Sequence, residues 1–159
     1  MVQGGQARER FRRLLLDREE DLLLQPFRDA IRDRAKGQSP VAAVRVLVVQ
    51  LNVLGNPLVK VDALTVNWWR VVAASPSLRA RLHELADEAT ELLASELGGR
   101  KPDGAARLAA GLIVLTLNTA RAEAIRIFER GGSAKKANAA FLALIDQGLS
   151  AVDALDMRR

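Results

Sequence analysis

A chain of 159 residues, 49% hydrophobic and 27% charged, suits one globular domain with a sizeable core and excludes a disordered or low-complexity polymer. It has no cysteine and no tyrosine and only one histidine, which removes disulfides and thiolate metal sites and leaves little for side-chain catalysis. The formal charge of +5 is spread among Asp and Glu rather than concentrated, except at Arg8, Arg10, Arg12 and Arg13, a cluster that reads either as a DNA contact or as a solvated helix end.

Residues 1–16 are expected to form a basic N-terminal segment, flexible or partly helical, ahead of a domain over 17–156 and a short tail over 157–159. The start, "MVQGGQARERFRR", has no apolar stretch of the secretory kind. The strongest apolar run, "LAAGLIVLTLNTA" between Arg107 and Arg121, falls short of the roughly 18 uncharged residues that a bilayer span requires. No membrane partner and a cytoplasmic location are the corresponding expectations.

A first helix is expected from Asp17 or Arg18 through "REEDLLLQPFRDAIRDRA", with Glu19, Glu20 and Asp21 where the helix dipole favours anions and Lys36-Gly37 at its end. Pro26 predicts a kink or a boundary within it. Ser39-Pro40 is a cap followed by proline at the first helical position, and it opens a helix through "VAAVRVLVVQLNVLG" despite the β-branched content. Gly55-Asn56-Pro57 ends that helix, and Asn56-Pro57 offers the same start signal for the next, which carries "LVKVDALTVNWWRVVAA". Ser75-Pro76 then starts a long helix ending at Gly98-Gly99. Its apolar stripe is Leu78, Leu82, Leu85, Ala89 and Leu92, opposite a wet face of Arg81, Glu84, Glu88 and Glu91. Two more helices follow, from about Ala105 to Glu129 and from about Ser133 to Leu155. With no period-2 stretch bounded by hairpin turns, the fold class is all-α, a single bundle of about six helices.

Between Leu108 and Leu117 the fifth of these helices is apolar around its whole circumference and needs cover on every side. The last helix keeps a thin profile through Ala137, Ala140, Gly148 and Ala151. Together they predict a homodimer in which the last two helices of each chain make a four-helix interface, with Leu108, Gly111, Leu115, Asn118, Phe141, Leu144, Gly148 and Val152 at the contact. The alternative is that both helices pack inside one chain. Asn118 and Thr116 are polar interruptions in this run. Asn118 either meets a ligand or pairs across the two-fold axis, the axis being favoured, and Thr116 either meets a ligand or bonds a carbonyl of its own helix.

The only two tryptophans, Trp68 and Trp69, stand side by side on a helix whose other members predict contact from two directions. An apolar and aromatic wall with a few polar groups is the usual lining of a ligand site, so Leu47, Leu51, Leu54, Asp62, Thr65, Trp68, Trp69, Leu82 and Thr116 are the candidate walls. Plain core is the competing reading of both tryptophans. His83 has no second histidine one turn away and no paired carboxylate, so neither a metal nor a cofactor is expected, and no nucleophile–base constellation points to an enzyme.

With these features in order, the chain resembles the C-terminal effector-binding and dimerisation domain of TetR-family transcriptional repressors. The likeness lies in "DREEDLLLQPFRDAIRDRAKGQSPVAAVRVL", in "WWRVVAASPSLRARLHELADEATELLASEL", where an apolar helix meets a Ser-Pro step before a long charged one, and in "ARLAAGLIVLTLNTARAEAIRIF" with the final helix. It covers about Asp17 to Leu155. The family's N-terminal helix-turn-helix has no counterpart, because only "RFRRLLLDREED" stands in its place, with leucines where the family has aromatics and Arg18-Glu19 nearest to its Lys-Glu. The resemblance implies a small, largely apolar effector and a homodimer, with DNA not expected to bind this chain alone. It further implies either a domain separated from its DNA-binding part or a relative that has lost it. The second reading of the same residues is a ligand-free helical module that pairs with itself or with a full-length relative.

Overall fold

The computed structural model describes Arg13 and residues 20–155, and the remainder of the expected basic segment and the tail lie outside them. Six helices make up the described fold, with no strand among the described residues. They are α1 (Glu20–Arg32), α2 (Pro40–Val53), α3 (Ala63–Ala74), α4 (Pro76–Gly98), α5 (Gly104–Glu129) and α6 (Ala134–Asp153).

Side-chain caps set most of the starts. Ser39, Ser75, Asp103 and Ser133 each accept a hydrogen bond from a first-turn backbone N–H, and Pro40 and Pro76 occupy the position where a missing N–H costs nothing. Pro26 lies inside α1 and does not mark a boundary. The Asn56-Pro57 signal fails to start a helix. Asn56 Oδ1 accepts from Leu58 N at 2.9 Å, closing a local turn, and the chain then sends Val59 and Val61 into the core. Asn138 on α6 holds that segment in place, donating to the Val61 carbonyl at 2.7 Å and accepting from Val61 N at 3.0 Å. Helix α3 therefore begins only at Ala63. Asp62 and Thr65, expected to line a ligand site, form its capping box instead: Asp62 Oδ1 accepts from Thr65 N and Thr65 Oγ1 accepts from Asp62 N, both at 2.9 Å.

The buried residues fall into two clusters. The larger, centred on Phe141, Ile113, Ile145, Ile31 and Val44, is built mainly by α1, α2, α5 and α6, with Leu93 and Ala94 from α4. The smaller is Trp68, Trp69, Val72 and Leu85, with Leu24, Leu58, Leu82 and Ile125 packed against it. Helix α3 belongs to both, since Val66 faces the larger cluster and the tryptophans the smaller, which is the two-sided contact its sequence predicts.

The most extensive pairing is between α5 and α6, followed by α4 with α5. A Cβ added at Gly148 on α6 would run into the Thr116 side chain on α5, so this glycine is where the two helices of one chain close on each other. Gly148→Ala is expected to lower stability by about 1–3 kcal/mol through overpacking, a loss larger than the gain in helix propensity. At Gly111 the added Cβ would meet only Thr90 Cγ2 at 4.0 Å. Gly111→Ala is therefore expected to raise stability by about 0.5–1 kcal/mol. Urea denaturation of the two variants, followed by circular dichroism, tests the opposite signs.

Candidate functional site

A cavity of about 300 Å³ lies between α1, α4 and α5 and is closed on one side by the Leu58–Val59 turn. Its walls are mostly apolar, from Phe27 on α1, Leu82, Ala89 and Leu93 on α4, and Val114 and Leu117 on α5. Four polar side chains line it, Arg79 and His83 from α4 and Asn118 and Arg121 from α5, and no carboxylate does so among the described residues. A shallower groove between α3, α4 and α5 adjoins it, sharing Arg79, Leu82, Asn118 and Arg121 and adding Trp69 and Ile125.

Arg121 stands at the junction. Its guanidinium lies over the Trp69 ring, 4.2 Å from the centroid. Nη2 donates to Asn118 Oδ1 at 2.7 Å and Nη1 to the Leu58 carbonyl at 3.4 Å. Trp69 is itself held by its indole N–H, which donates to the Pro57 carbonyl at 3.3 Å, and by an edge-on contact with Trp68, ring centroids 4.5 Å apart. The adjacent tryptophans thus have separate duties: Trp68 supports Trp69, and Trp69 is a shelf for a cation. Burial pushes the Arg121 guanidinium down to about 10, so it remains cationic at neutral pH.

The expected walls are only partly brought together. Leu82 lines the cavity, Trp69 and Leu82 line the adjoining groove, and Trp68 backs Trp69. Leu47 and Leu51 pack on the larger core, and Leu54 is 79% exposed beyond the end of α2. Thr116 faces Gly148 rather than the cavity. For Leu47, Leu51 and Leu54 the difference is one of direction, because α2 packs against α1 and α6 and not against the tryptophan layer.

The expected interface residues also separate. Phe141 and Val152 are buried by their own chain, Gly148 is the close approach to Thr116, Gly111 faces Thr90 on α4, and Asn118 turns into the cavity. Leu108 and Leu115 are 54% and 59% exposed, and Leu144 is half-buried. At helical spacing Leu108, Leu112, Leu115 and Thr119 fall on one side of α5, and Ala140, Leu144 and Ala151 on one side of α6, all exposed or half-buried and none of them charged. By length and composition alone α5 could cross a membrane. In this fold its other side is packed, with Ala106, Ala109, Ala110, Ile113, Ala120 and Ala124 buried.

Arg121 was not among the sequence-derived candidates. The signal available for it was a basic residue three positions after Asn118, between Ala120 and Ala122, at the end of the uncharged run that begins after Arg107. His83 lies on the cavity wall, and no group of three or more potential metal ligands occurs among the described residues. Compared with protein-family models, with curated proteins and with solved structures, the chain matches none of them.

Proposed function

We propose that the chain is a small-molecule-sensing, dimerising domain of the TetR-like kind, acting by binding and not by catalysis. The observation that carries this reading is the mostly apolar cavity of about 300 Å³ with four polar side chains on its wall, which matches the lower end of the size and the composition of small-molecule sites. The uncharged outward face of α5 and α6 supports pairing with a second copy.

Coupling follows from the double use of α5. One side of this helix, with Val114, Leu117, Asn118 and Arg121, forms the cavity wall, and another, with Leu108 and Leu115, forms the outward face. A guest that separates α4 from α5 therefore tilts the surface on which a partner sits. It shifts the angle between subunits only to the extent that it binds one arrangement more tightly than the other. In a TetR-like regulator that angle sets the spacing of the DNA-reading parts.

Sedimentation equilibrium of the full chain and titration of its tryptophan emission with 1-octanol test the two halves separately. A dimer with a saturable emission change is expected. A monomer at every concentration overturns the pairing, and an emission that responds neither to 1-octanol nor to its charged eight-carbon analogues overturns the cavity as a ligand site. A dimer with no emission response would favour the second reading, a ligand-free pairing module, for which the outward face is the supporting feature.

A further inference from the structure

We infer that the cavity takes an anionic amphiphile, a medium-chain carboxylate whose head pairs with Arg121 beside Asn118 and whose tail lies along α4 toward Leu92 and Leu93. This rests on the cavity being a ligand site and adds the chemical class of the ligand.

The charge balance around Arg121 is the starting point. Arg121 is partly buried, and a guanidinium drawn part of the way out of water is held more favourably when an opposite charge accompanies it. Here its partners are a side-chain amide oxygen, a backbone carbonyl and an indole face, all neutral. Guanidinium has five N–H donors, of which the Asn118 and Leu58 oxygens use one each. The others have no acceptor among the described residues. The carboxylate that lines the adjoining groove, Glu129, is engaged by Arg70 at 3.0 Å. A second cation, Arg79, lines both cavity and groove and makes no ion pair among the described residues. Among the described residues no carboxylate balances the partly buried Arg121 and the exposed Arg79 at this end of an apolar space, an arrangement that a carboxylate ligand completes with paired, charge-assisted hydrogen bonds.

Size and shape set the rest of the molecule. At about 30 Å³ for each water-sized group, a cavity of about 300 Å³ accepts on the order of ten non-hydrogen atoms. Along α4 the wall runs from Leu82 to Leu93, which at the helical rise of 1.5 Å per residue is roughly 16 Å and admits an extended chain of that size. Past the polar junction the lining is apolar apart from His83, so the tail needs no hydrogen-bonding groups. Octanoate has the required head, length and bulk.

Isothermal titration and tryptophan emission with octanoate, 1-octanol and octyltrimethylammonium test the assignment on the full chain. Octanoate is expected to bind at least tenfold more tightly than octanol, with the cationic analogue weaker than both. In Arg121→Met, octanoate is expected to weaken about 10- to 100-fold while octanol is unchanged or improved. Equal affinity of the wild-type chain for octanoate and octanol overturns the carboxylate assignment and leaves the cavity standing. Binding of neither overturns the cavity reading itself. The wild-type comparison decides the matter even if the variant does not fold.

Discussion

Leu108→Glu combined with Leu115→Glu is expected to yield a folded monomer, with dimer dissociation raised by more than about 100-fold in sedimentation equilibrium. Each side chain is more than half exposed in the single chain, so a glutamate at either position disturbs no core contact. The cost to folding should remain within about 0.5 kcal/mol per site. In a two-fold pair each substitution occurs twice, and four carboxylates would face one another across a surface that carries no basic residue between Arg107 and Arg121 on α5. Burying such charges without partners is strongly unfavourable. The result that overturns this expectation is an unchanged mass, which would move the pairing surface elsewhere. Circular dichroism matching the wild-type chain is needed beside it, because a melted α5 would lower the mass for a different reason.

Phe141→Ala carries the largest expected effect on the fold itself, a loss of about 3–5 kcal/mol. Phe141 is fully buried and is the largest side chain so enclosed, at the centre of the core built mainly by α1, α2, α5 and α6. Truncation removes its apolar contacts and leaves a void that neighbours such as Ile113 and Ile145, already fully enclosed or nearly so, have little room to fill. A domain of this size has about 5–15 kcal/mol of stability in total, so the variant should unfold at a far lower urea concentration. Its midpoint should not depend on protein concentration when measured in the Leu108→Glu, Leu115→Glu background, since the loss is internal to the chain. A small, concentration-dependent change would instead return Phe141 to the subunit contact that its sequence position suggests.

These two residues illustrate what was legible. Phe141 and Leu115 both read as bulky apolar members of terminal helices, and the periodicity of each helix is clear. Which side of a helix meets its own bundle and which meets a second copy depends on where the neighbouring helices come to rest. Gly111 and Asn118 show the same difficulty: they share the apolar run with Leu108 and Leu115 but point toward α4. Gly148 reads as part of a thin profile that lets a second copy approach, and the close approach found there is to Thr116 of the same chain.

For the candidate site, the tryptophan pair falls beside the cavity and not in its wall, Trp69 lining the adjoining groove, because aromatic bulk on a two-sided helix separates two groups of neighbours. Arg121 was hidden. In sequence it is one of 24 Lys and Arg residues, and only the fold puts it over Trp69, where no carboxylate among the described residues pairs with its charge.

Helix identity and most helix starts were determined by the sequence itself, since a cap such as Ser75-Pro76 acts over a single turn and needs no distant partner. The tertiary structure decided the rest. Asn56-Pro57 carries nearly the same local signal, yet burial of Val59 and Val61 and the hydrogen bonds from Asn138, 77 residues further on, outweigh it. The cavity and its cation were likewise decided there, because both depend on side chains from separate helices meeting in space, and local propensity along one helix carries no information about that meeting.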